Sequence, residues 1–194
     1  MEPSLNPEQL LGAYIAGCFP MADPDDQNQI AWYAPDPRAV LPLLEFRTPR
    51  SLRARIRKGD YRITSDRAFD RVIRSCAERE ETWISEKLIE AYSELHRLGF
   101  AHSIETWEAD ELVGGLYGVS IRGLFCGESM FSNRTDASKV AMVYLVEKLI
   151  NQGCVLLDIQ FMTEHLRKFG AVEISKAAYE RQLLRALEIS TTWM

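Results

Sequence analysis

The stretch LFCGESMFS, residues 124–132, sets one carboxylate, Glu128, among apolar and small neighbours. A carboxylate is costly to take out of water unless something pairs with it. A cationic ammonium arriving as ligand would supply the missing charge and make the placement tolerable. A second group stands in CVLLDIQF, residues 154–161, where Asp158 and Gln160 interrupt an apolar run. Two apart in a strand, their side chains project to one face. At the mouth of a cleft, an acid and an amide can position an attacking amine and move its proton. A structural role fits the same pair: Asp158 capping a turn, Gln160 satisfying a backbone group at the strand end. Spacing leaves both readings open.

Tyr14, Trp32, Tyr33, Trp83 and Tyr92 form the second set of interest. Most aromatics in a small domain are core. Trp83 stands apart, because EETWIS precedes a helix and so reads as a loop, where Trp serves as a platform for ligands or bases. Nucleophilic catalysis fares poorly. Cys126 lies near no histidine in sequence, and His96, His102 and His165 lack recognisable partners. The four cysteines are scattered, and no C-x-x-C or Cys/His pair has metal spacing. The glycines of LVGGLYG, inside a strand pattern, mark close packing or a bulge rather than a phosphate cradle.

These residues need elements to hold them. Asn6-Pro7 followed by Leu10, Leu11, Tyr14 and Ile15 predicts a capped helix stopping at Gly17. A Pro- and Asp-rich loop with turns is expected next, through about residue 43. Phe69, Val72, Ile73 and Cys76 mark a helix; Leu88, Ala91, Tyr92 and Leu95 mark another, from Ser85 to Gly99. HSIETWE, ELVGGLYGVSI and GLFCGESMF read as three strands with turns short enough for antiparallel neighbours. A long helix over 137–149, a buried strand and helices near 163–169 and 175–188 follow. This order predicts an α+β fold, an α/β sandwich with a mostly antiparallel mixed sheet flanked by helices. It resembles the acetyltransferase (GNAT) core, although SNRTDASKVAM lacks the loop that would grip a coenzyme A pyrophosphate. Residues 1–60 are expected to be an abbreviated N-terminal region, and 61–194 the GNAT-like catalytic domain.

With 46% hydrophobic and 26% charged residues the chain has the make-up of a globular domain. No apolar run approaches the roughly 20 residues of a membrane span, and MEPSLNPEQL is unlike a secretion signal. A cytoplasmic monomer with reduced thiols is the expectation. The net charge of −5 excludes a protein that coats nucleic acid indiscriminately. Yet RTPRSLRARIRKG, residues 47–59, carries six cations and no acid, which suits either a local phosphate contact or a solvated helix face.

The segments WYAPDPRAVLPL, ETWISEKLIEAYSELHRLGFAHSIETWEADELVGGLYGV, LFCGESMFSNRTDASK, LLDIQF and LRKFGAVEI, in that order, resemble the leucyl/phenylalanyl-tRNA–protein transferase family over most of residues 10–180. The resemblance implies an enzyme that moves Leu or Phe, less readily Met, from Leu-tRNA or Phe-tRNA to the α-amine of proteins beginning with Arg or Lys. Such products enter N-end rule degradation, and the resemblance implies that no metal or small cofactor is needed. It implies that Gln160 orients the amine and relays its proton with support from Asp158, and that Glu128 holds the amino group of the esterified residue. Trp83 and Tyr92 would surround the terminal adenosine and acceptor peptide, joined by Tyr14. Leu116, Phe125, Met130, Leu145, Leu149 and Leu157 would line an apolar side-chain pocket. Arg50, Arg53 and Arg57 would contact tRNA. Met21, in GCFPMADP, replaces a tryptophan found in some members, which leaves acidic N-termini open as acceptors. Two rival readings are an acyl-CoA-dependent N-acetyltransferase, which acetyl-CoA would stabilise, and a non-catalytic binder of basic N-termini, which has no use for Gln160.

Overall fold

Helix α1, Pro7–Ile15, starts at a reciprocal cap: the Asn6 side chain accepts the Gln9 amide at 2.8 Å while the Gln9 side chain accepts that of Asn6. The computed structural model describes residues 5–23, 25–27, 29–79 and 82–193; the first four residues of the expected N-terminal region lie outside these. The span expected as irregular loop contains three strands instead. β1 (Phe19–Ala22) and β2 (Ile30–Tyr33) pair as an antiparallel hairpin, and β3 (Arg38–Val40) joins the large sheet. Strands of three or four residues are too short to show a period, and the partner of β3 is far away in sequence.

After a 3-10 turn at Leu43–Glu45 come α2 (Arg50–Lys58), β4 (Arg62–Ser65), α3 (Phe69–Ala77) and α4 (Glu86–Arg97), the last capped by Ser85. The expected meander follows as β5 (Ala101–Glu108), β6 (Glu111–Ile121) and β7 (Leu124–Ser132). Then come α5 (Ala137–Asn151), β8 (Leu156–Gln160), α6 (Glu164–Arg167), β9 (Val172–Ile174) and α7 (Lys176–Glu188). The seven-stranded sheet has the order β4-β5-β6-β7-β8-β3-β9, and every pairing is antiparallel except β7 with β8. The crossover through α5 makes that pair parallel. The fold is thus the mixed α+β arrangement predicted, with a mostly antiparallel sheet between helices.

Alternation along the strands divides the core in two. Tyr117, Leu124, Cys126 and Leu156 face α1, α3, α4 and α7, whereas Leu116, Phe125, Leu157 and Ile159 face α5, joined by Leu52 of α2. Layers this close leave no room at two positions of β6. A Cβ on Gly114 would stand 2.5 Å from the Ala137 Cβ, and one on Gly118 2.2 Å from the Cys126 carbonyl oxygen. All four cysteines are free thiols. His102, partnerless in sequence, is buried and bonds the Asp66 carboxylate at 2.8 Å and the Gly99 carbonyl at 3.1 Å. Among the described residues no helix is long and apolar enough to cross a membrane.

Candidate active site

β7 and β8 pair only at Leu124–Leu156, Phe125–Leu157 and Cys126–Asp158. Beyond that point the strands part, and a cavity of about 470 Å³ opens between them. Gly127, Glu128, Ser129 and Met130 line one wall; Ile159, Gln160 and Phe161 line the other. β6 contributes Leu116 and Tyr117, and α5 contributes Ser138, Met142 and Leu145. The N-terminal hairpin adds Phe19 and Met21, and Trp83 stands at the side from its loop.

Glu128 owes its position to a β-bulge. Tyr117 pairs with Ser129 and Gly118 with Gly127, so Glu128 is passed over by the ladder. A bulge re-aims the extra residue. Here the carboxylate meets two polar groups. Tyr92 donates to its Oε2 at 3.0 Å, with Tyr14 bonded to Tyr92 at 2.6 Å behind it. Gln160 Nε2 donates to Oε1 at 3.3 Å. Burial pushes the Glu128 carboxyl up to about 7, against the opposing pull of the Tyr14 and Tyr92 hydroxyls. The same burial holds both phenols far above their ordinary range, so they remain neutral donors.

Gln160 ends β8 with a left-handed backbone, φ 59°. That turn breaks the alternation expected of the pair, and Asp158 does not share the cavity. Asp158 is fully buried beneath it, bound by Arg38 through Nε at 2.9 Å and Nη2 at 2.6 Å and by the Tyr179 hydroxyl at 2.8 Å. Its Oδ1 also accepts the Gln160 amide at 3.0 Å. Asp158 therefore caps the turn that presents Gln160, joining the two readings of the pair. Its charge is already matched by Arg38.

Of the expected side-chain pocket, Leu116, Met130, Leu145 and Leu157 line the cavity. Phe125 and Leu149 are wholly buried in the core beside it, Phe125 stacked on Trp193. Tyr14 and Tyr92 lie behind Glu128 rather than in the open space. The sequence reading left out Met142, Ile159, Leu166, Phe19, Arg79 and His165. The stripe of α5 offered a signal for Met142, three residues before Leu145 and on the same face. Burial and the neighbouring Lys139 and Lys168 hold the His165 imidazole below its usual range. Arg50, Arg53 and Arg57 lie exposed on α2, away from the cavity lining; α2 packs against α5.

A slot walled by Leu, Met and Ile, with one carboxylate and one amide at its edge, can hold an apolar side chain and orient nitrogen groups beside it. The family model described as leucyl/phenylalanyl-tRNA protein transferase matches residues 40–184, and that of the N-terminal domain of the same transferase matches residues 4–36. The leucyl/phenylalanyl-tRNA–protein transferase of Herpetosiphon aurantiacus is 51% identical over 194 residues, 100% of both chains. That of Salinibacter ruber is 49% identical over 193 residues, 100% of this chain and 85% of its own. Among solved structures, that of L-PGS from Bacillus licheniformis aligns over 78% of this chain and 65% of the other, at TM-score 0.48 and 12% identity.

Proposed function

The chain belongs to the leucyl/phenylalanyl-tRNA protein transferase family and is an aminoacyltransferase, and we propose that it moves Leu or Phe, less readily Met, from aminoacyl-tRNA to the N-terminal α-amine of proteins beginning with Arg or Lys. Products of that reaction are marked for N-end rule degradation, and the setting is the cytoplasm. The observation that carries the reading is the meeting of Glu128 and Gln160, 3.3 Å apart, on the edge of an apolar slot.

In this mechanism the esterified side chain enters between Leu116, Met130, Met142, Leu145 and Leu157. Its amino group lies against Glu128, in a charge-assisted bond. Gln160 donates through Nε2 to Glu128, which leaves its amide oxygen free to accept from the incoming amine. That amine is reactive only when neutral, and an α-amine with pKa of about 7.7–8.0 needs little help to become so. The nitrogen attacks the ester carbonyl, the new peptide bond forms, and the bond to the terminal ribose oxygen breaks. The proton lost by nitrogen ends on that oxygen, passing along Gln160 and Glu128. A carboxyl near 7 suits such a relay, because neither protonation state is far away. Alignment of ester and amine in the slot supplies most of the acceleration. Trp83 offers a face for the terminal adenosine or the acceptor, and Arg50, Arg53 and Arg57 contact tRNA phosphates.

The test incubates the protein with labelled Leu-tRNA and peptides beginning with Arg, Lys, Asp or Glu. Incorporation into Arg and Lys peptides alone is expected. Transfer to Asp or Glu peptides would move the acceptor class, and no transfer to any peptide would refute the reading.

A further inference from the structure

Arg38 is an arginine almost wholly withdrawn from solvent, with a relative exposure of 2%. Buried guanidinium groups are rare unless fully paired, and this one is. Its flat faces lie against two rings, Phe19 at 4.7 Å and Tyr179 at 4.6 Å. Its edge makes a two-pronged bond to Asp158, and Nη1 donates to the Gly17 carbonyl at 3.1 Å. The side chain thus ties Gly17, just before the N-terminal hairpin, to Asp158 of strand β8, which lies 120 residues beyond Arg38 itself.

The Asp158 oxygen that accepts from Arg38 Nε, Oδ1, is the one that accepts the Gln160 amide. Gln160 needs that bond, since its left-handed backbone is disfavoured for a residue with a Cβ. If the carboxylate turns, the Gln160 amide loses this bond, and the ladder pairing with Ala39 is left to hold the strand end. We propose that Arg38 is a positioning residue for the transfer reaction: by fixing the Asp158 carboxylate it locks the turn that aims Gln160 at Glu128. This rests on the transferase reading and deepens it. A lysine cannot replace the fork, because it offers a point charge where two parallel donors are required.

The experiment compares wild type with Arg38→Lys in Leu transfer from charged tRNA to an Arg-initiated peptide, run at low temperature with trimethylamine N-oxide so that a weakened variant stays folded. Wild-type inactivity would be a failure of the transferase reading itself. Given an active wild type, the expected result for Arg38→Lys is a kcat at least about tenfold lower with KM for aminoacyl-tRNA within about twofold, the pattern of lost alignment rather than lost binding. Hydrogen exchange is read on the same sample. Selective acceleration at the Gln160 amide supports positioning, whereas uniform acceleration across β8, β3 and β9 with unchanged kcat shows Arg38 to be only a structural pin and overturns the proposal.

Discussion

At the residue scale the site turns on one carboxyl with a shifted proton affinity. Glu128 titrates near 7 in the folded protein, above its ordinary value of 4.5. Between those values the folded state binds more protons than the unfolded one, so ionising Glu128 costs stability as pH rises through the window. Glu128→Gln removes that cost. The variant's stability relative to wild type should rise by about 2–3 kcal/mol between pH 5 and pH 8, while transfer falls by about 10²-fold or more. Urea melts at the two pH values and initial rates check this; equal stabilisation at both would show that the carboxyl is not shifted. Glu128 was legible in the sequence as a lone charge in an apolar run. Arg38 was not, because nothing local distinguishes it; its partner Asp158 is brought to it only by the pairing of β3 with β8.

At the element scale two features make the cavity, the bulge in β7 and its divergence from β8. Gly118 lies where the bulge begins, and a side chain there would run into the Cys126 carbonyl and the Phe125 ring. Gly118→Ala should therefore lower stability by about 2–4 kcal/mol and lose transfer in the fraction that remains folded, because relieving the clash shifts the strand carrying Glu128. An unchanged urea midpoint with full activity would refute this account of the bulge. The strands, their order and the long helix α5 could be read from period and turn residues. The depth at which β7 and β8 separate could not, since it depends on the register between strands a helix apart. Phe125 shows the consequence: it has the side of the sheet expected of a pocket residue, but it sits one position before the last paired residue and so packs into the core. Leu149, one turn of α5 past Leu145, misses the slot in the same way.

Across the whole molecule the acidic net charge sets the terms for an RNA substrate. A chain at −5 repels a polyanion at long range, so attraction must come from a local basic surface. Helix α2 is the natural one: of its nine residues only Leu52 is buried. Replacing Arg50, Arg53 and Arg57 together with Gln should leave stability within about 0.5 kcal/mol. It should raise KM for aminoacyl-tRNA severalfold and flatten its salt dependence by up to about three units of log–log slope. Rates at several salt concentrations test this, and an unaltered slope would make α2 a solvated face only.

The hydroxyl chain behind Glu128 starts at Tyr14 in α1, and the hydroxyl that braces Asp158 is that of Tyr179 in α7. The site is therefore braced from both α1 and α7, helices far apart in sequence. A proteolytic cut that releases α1 or α7 should silence the enzyme, because it removes a hydroxyl that holds Glu128 or Asp158 in place.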